Sequence, residues 1–173
     1  MLTSRSIESY LKYLQQVITG RLTAHFSLGK TFSLASVPMP ARDSDESPLH
    51  GFIRKNKLSA EETVTLLTAL APHVDPVFFD EIIQKHIPGQ GDFPQFGGTR
   101  GRNHRGFLPT AETVLFILAG NDFSKRFASE ALFSPGHLFA SHNILYLEEP
   151  VPGEPLYSGK LIMAPEYIEL FTA

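Results

Sequence analysis

The chain reads as an α+β protein, mostly helical, in which a helical group is followed by a β-hairpin. Three observations carry this reading. Apolar residues recur at three- and four-residue spacing in most segments up to residue 133, the period of helices with one buried face. Several of these segments open on Ser, Asp or Thr followed by Pro or Glu, as capped helices do. Beyond Pro135 and Gly136 the period changes, and two short apolar runs flank a stretch rich in proline and glycine.

Residues 6–25 form the first predicted helix, with Ile7, Tyr10, Leu11, Leu14, Val17, Ile18 and Leu22 on one stripe. Gly20 weakens its end. Residues 26–47 lose the pattern; Pro38, Pro40 and the polar run 42–47 read as a linker or a loosely packed arm. Ser47 caps and Pro48 opens a helix to about Asn56 that buries Leu49, Phe52 and Ile53. Ser59 and Glu62 match a capping box. The helix they start carries Val64, Leu66, Leu67 and Leu70 and is expected to stop before Pro72. Asp75 and Pro76 start the next, which buries Phe78, Phe79, Ile82 and Ile83 and ends before Pro88. A long loop leads to a helix over 110–119, with Glu112 near its positive end. Asn121 or Asp122 caps a further helix through Phe133 that carries Phe123, Phe127 and Leu132. Residues 143–147 are a strand, 148–159 a turn-rich loop, 160–163 the return strand, and 165–171 a short helix or strand. This is the order of a winged-helix domain. The expected organisation is an N-terminal helix and arm, 1–45, ahead of a winged-helix-like domain, 46–173.

A chain of 173 residues can bury a sizeable core as one domain or a domain with an extension. Its net charge of -3 does not favour attraction of the whole surface to nucleic acid or anionic lipid. The absence of cysteine excludes disulfides and thiolate zinc sites and fits the cytosol. No apolar run approaches the roughly 20 residues that span a bilayer. The first residues lack the compact apolar core of a signal peptide. A cytoplasmic location with no membrane partner is expected.

The run 91–110 is the most informative stretch. It packs glycines, Arg100, Arg102 and Arg105, and Phe93, Phe96 and Phe107 between two helical patterns. Guanidinium groups are permanent, forked donors suited to carboxylate or phosphate. Two readings stand side by side. In one, the arginines, with His104, contact a partner and the phenylalanines add a docking surface, since aromatics and arginine dominate interface hot spots. In the other, the arginines pair with the chain's own acids and the phenylalanines pin the loop to the core.

Other candidate sites are weaker. The run 24–31, ending in Gly29, Lys30 and Thr31, fits a relaxed phosphate-loop pattern. Such a loop needs a strand before it and a helix after it. Here a helix is predicted before and an irregular stretch after, so the match reads as chance and no nucleotide site is expected. Gly97, Gly98 and Gly101 imitate a dinucleotide fingerprint without its βαβ context. The histidines are scattered: His73 and His86 suit helix ends, and His137 and His142 do not share a helix face. Glu148 and Glu149, adjacent on a strand, point to opposite faces and read as surface charge. Neither a metal nor a cofactor is expected, and no nucleophile with a base is apparent. Direct nucleic-acid binding is disfavoured because the predicted wing carries Glu148, Glu149 and Glu154, which repel phosphate.

Four segments carry a family resemblance: Leu58-Ser59-Ala60-Glu61-Glu62 with Leu70-Ala71-Pro72-His73; Gly91-Asp92-Phe93-Pro94-Gln95-Phe96-Gly97-Gly98; Gly106-Phe107-Leu108-Pro109-Thr110-Ala111-Glu112-Thr113; and Ala164-Pro165-Glu166-Tyr167-Ile168-Glu169-Leu170-Phe171. In this order they resemble the N-terminal region of a group of bacterial AAA-type ATPases, over roughly residues 46–173. Some members of that group belong to contractile injection systems. The resemblance implies a winged-helix-like domain that precedes the ATPase module and a chain that is a fragment or a stand-alone relative without that motor. It brings no catalytic residue to any position here, because the family's nucleotide site lies in the ATPase module. The function expected is a non-catalytic recognition or docking domain that binds a protein partner or substrate, or the ATPase ring. The alternative is a nucleic-acid-binding winged helix.

Overall fold

A helix whose sequence leaves almost no polar face must be buried on every side. Helix α5 (Ala111–Ala119) is that helix: every residue except Glu112 is buried. Its environment is seen in a computed structural model, which describes residues 2–40, 46–89 and 93–173. Thr110 caps it in a box with Thr113, so the first turn keeps its donors satisfied inside the core.

The helices before α5 are α1 (Leu2–Phe26), α2 (Pro48–Lys55), α3 (Ala60–Val74) and α4 (Phe78–His86), of which α1 and α3 pack directly against it. The predicted stripe of α1 is buried at Tyr10, Leu14, Val17, Ile18 and Leu22. It joins the same apolar cluster as α3, α4 and α5. The helix runs through Gly20, which makes room for Phe32: a Cβ there would stand 2.5 Å from the Phe32 ring. Residues 26–40 are accordingly held to the body, with Phe32, Leu34, Val37 and Met39 half-buried against the core around a 3-10 turn at Leu34–Ser36. The polar residues 42–45 of the expected arm lie outside the described residues.

Ser47 caps α2 by accepting from the His50 N–H, with Pro48 in the first turn. The Ser59–Glu62 capping box forms as its residues require. The expected stop before Pro72 is incorrect: α3 continues to Val74 with Pro72 inside. Proline removes one donor there, and the helix closes two residues later as the Asp75 N–H reaches Ala71 O at 2.9 Å.

Asp122 caps α6 (Phe123–Ser129), which passes into a 3-10 turn at Glu130–Phe133. Leu132 is buried, but Phe123 and Phe127 are not: they are 72% and 65% exposed and stack on each other, ring centres 6.3 Å apart. After the short α7 (Leu138–Ser141), β1 (Leu145–Leu147) pairs antiparallel with β2 (Leu161–Met163), Tyr146 opposite Ile162. The final segment, open in sequence between helix and strand, is helix α8 (Pro165–Thr172), seated by Phe171 in the core. The mostly helical α+β order with a closing hairpin is therefore as predicted.

Candidate functional site

The segment after α4 is expected to be a long loop, yet most of it has defined structure. Gly91 and Asp92 lie outside the described residues. From Phe93 onward a 3-10 turn at Pro94–Phe96 leads into a small hairpin. Thr99 and Leu108 exchange both backbone hydrogen bonds, at 2.9 and 2.8 Å, and the Gly101 N–H reaches His104 O at 3.0 Å. Arg102 and Asn103 form the tip.

Packing dictates this shape. Phe96 is 1% exposed and Phe107 8%, their rings 5.4 Å apart, and Phe96 also meets Phe116 of α5. Phe93 is half-buried against His25, Phe26 and Phe116. Phe96 and Phe107 thus act as pins within the core, and neither presents a docking face. The sharp bend between them needs glycine. Gly98 has φ +92°, and a Cβ on it would fall 1.9 Å from the Phe107 ring. Its N–H donates to Thr110 Oγ1, joining the bend to the cap of α5.

One acid clasps the hairpin to α4. Asp80 Oδ2 accepts from the Phe107 N–H at 2.9 Å, and Oδ1 lies 3.3 Å from Arg100 Nη1. Arg100 also donates to Arg105 O. The Arg100 side chain is 62% exposed, so the ion pair itself adds little, and the backbone bonds provide most of the restraint. His104 is half-buried beside this clasp. Its Nε2 is buried with no hydrogen-bond partner and lies near the position a Gly106 Cβ would take, as does Asp80 Oδ2. Burial lowers the His73 pKa, and the nearby His104 lowers it further.

Arg102 and Arg105 differ from Arg100. Both are exposed and neither forms an ion pair among the described residues. Of the expected contact set, the structure therefore leaves Arg102 and Arg105 facing water, turns Arg100 into an internal brace, half-buries His104 and Phe93, and buries Phe96 and Phe107. Between α4 and the hairpin lies a hollow of about 290 Å³, lined by Ile83, Ile87, Phe96, Phe107 and Arg100.

The other candidates fall apart spatially. Lys30 and Thr31 are exposed just after α1, where Gly29 turns the chain at φ +74°, and irregular chain follows. No strand–loop–helix unit forms there. His137 Nδ1 accepts from the Phe139 N–H at 3.0 Å and Nε2 lies 2.9 Å from Glu62 Oε1, linking α7 to the start of α3. His142 is exposed beside Ser141. Among the described residues, no three His, Asp or Glu side chains converge as metal ligands would. Glu148 lies 3.4 Å from Lys160 across the closing hairpin.

Two structural contacts escape sequence reasoning. Arg21 Nε and Nη2 donate to Ile117 O and Leu118 O, both at 2.9 Å, so a cation from α1 caps the negative end of α5. Burial lowers its pKa, opposed by Asp122. Arg126 Nη2 donates to Glu112 Oε1 at 2.8 Å and fastens α6 to α5; that bond raises the Arg126 pKa. No local signal identifies either partner, because each pair is far apart in sequence or belongs to two helices. Comparison with protein-family models, with characterised proteins and with solved structures finds no match.

Proposed function

We propose that this chain is a non-catalytic recognition domain that grips an acidic protein surface through the tip of the 99–108 hairpin. One observation carries the reading: Arg102 and Arg105 are exposed, free of ion pairs among the described residues, and mounted on a hairpin fixed by Asp80, Gly98 and Phe107. A cationic tip on a braced support loses little conformational freedom on binding, which favours affinity. Arginine forks match carboxylates in pairs. The sequence resemblance to the N-terminal region of bacterial AAA-type ATPases suggests the setting, in which the partner is the ATPase module, its ring, or a substrate passed to it.

The test separates the tip from the brace. Immobilised wild-type chain and the Arg102→Ala, Arg105→Ala double variant are compared for capture of bacterial proteins, with bound species identified by mass spectrometry. The double variant should lose a specific partner while its stability changes by less than about 0.5 kcal/mol, as surface substitutions do. Equal capture by both proteins sinks the proposal. Binding of duplex DNA that weakens steeply with salt and vanishes in the double variant would favour the nucleic-acid alternative instead.

A further inference from the structure

The hollow beside the 99–108 hairpin opens next to the arginine tip. Asp80, Ile83 and Ile87 recur at three- and four-residue spacing, so they share the face of α4 and its C-terminal cap that meets the hairpin. From Asp80 to Ile87 this face runs for about 10 Å. Its two ends differ in chemistry. Toward Ile87 the walls are apolar: Ile83, Ile87 and Phe93 are half-buried and line the hollow of about 290 Å³, with Phe96 and Phe107 closing it from behind. Toward Asp80 stands Arg100, whose side chain is 62% exposed and also lines the hollow. Its Nη1 is committed to Asp80 Oδ1 and Arg105 O, whereas Nε and Nη2 make no bond among the described residues. Asp80 already accepts from Arg100 and from the Phe107 N–H. Arg100 therefore joins the hollow to Arg105, and Arg102 lies two positions further along the chain.

Size and charge decide what fits. Pockets that take a small ligand start at about 300 Å³, so this hollow has room for one large side chain and not for the face of a helix. A residue seated there leaves its chain neighbours beside the guanidinium groups of Arg100, Arg102 and Arg105, which pair with carboxylates. We infer that the partner carries a single apolar anchor, a leucine or a phenylalanine with aspartate or glutamate next to it, and that this anchor enters the hollow between α4 and the hairpin. An apolar anchor in a pocket, ringed by polar contacts, is where interfaces concentrate their affinity. The inference rests on the arginine-tip reading for the acids and adds the anchor, which that reading does not contain.

Fluorescence anisotropy tests it with three labelled peptides: a leucine flanked by glutamates on both sides, the same peptide with serine for leucine, and the leucine peptide with glutamine for every glutamate. Acids on both sides make the probe independent of chain direction. The first peptide should bind the wild-type chain at least about tenfold more tightly than either of the others. It should also shift the Ile83 and Ile87 methyl resonances, which the serine peptide should leave in place. Ile83→Ser should erase the preference for leucine over serine while the serine peptide binds as it does to the wild type. Because Ile83 also packs on the core, the methyl shifts of the wild-type chain are the second readout. The Arg102→Ala, Arg105→Ala protein should bind both glutamate peptides more weakly by the same factor. Equal binding of the leucine and serine peptides to the wild type, or unmoved Ile83 and Ile87 methyls, would overturn the anchor and leave the arginine tip standing. A leucine preference retained by a double variant that binds every peptide as the wild type does would overturn the tip and keep the anchor. No binding of any peptide would overturn the anchor.

Discussion

His73 shows how one side chain couples this fold to pH. It lies in the last turn of α3, and burial followed by the neighbouring His104 lowers its pKa below the ordinary value of 6.5. The unfolded chain therefore takes up a proton at a higher pH than the folded chain. The stability contributed by neutral His73 is complete above about pH 6.5 and is lost as the pH falls toward the folded-state pKa. His73 is exposed at the surface, so the effect is screened and small: urea midpoints should fall only slightly between about pH 7 and pH 5, and His73→Gln should flatten that slope. A slope unchanged in the variant would assign the loss to other groups. Sequence placed His73 at a helix end, but its partner His104 lies 31 positions away and only the folded hairpin brings it near. Asp80 is similar: an acid in the first turn of α4 is ordinary by sequence, and its role as a clasp appears only with the Phe107 N–H in place.

Among elements, α3 is the one whose start is written locally and used globally. Ser59 and Glu62 close the capping box, and Glu62 also meets His137 from α7. Ser59→Ala should lower stability by about 1 kcal/mol, with faster amide exchange confined to the first turn of α3. An unchanged denaturation midpoint would show that the cap is redundant. Helix α6 shows the opposite case. Phe123 and Phe127 share a face, as their spacing requires, but the face that α6 turns to the body carries Arg126, held by Glu112. Periodicity defines a stripe and leaves open which neighbour it meets. The same ambiguity applied to 165–171, which is a helix with Pro165 suited to its first turn and buried Phe171 packed edge-on against Phe52 of α2.

The molecule is unified by its apolar cluster. Tyr10, Leu14 and Ile18 of α1, Phe79 of α4, Phe116 of α5, Leu145 of β1 and Phe171 of α8 all belong to it. Truncating Leu14, which is fully buried, should cost about 2–5 kcal/mol. Loss should appear as a single cooperative transition at lower denaturant in both fluorescence and circular dichroism. Two separated transitions would show instead that α1 unfolds independently of the remainder. The arginine tip is an exposed feature standing on this common core.

Local chemistry in the chain was sufficient for most of the helices, for the caps at Ser47, Ser59 and Asp122 and for the closing hairpin, because capping, periodicity and turn residues act within a few positions of one another; it misplaced the end of α3 and the cap of α4, which is Val77 and not Asp75. It was also sufficient to single out the 91–110 run as unusual. Tertiary structure alone assigned the roles inside that run: Arg100 to Asp80, Phe96 and Phe107 to the interior, and Arg102 with Arg105 to water. The reason is physical. Whether a charge is paired and whether an aromatic ring is buried depend on which distant residues arrive beside it, and that is a property of the packed chain.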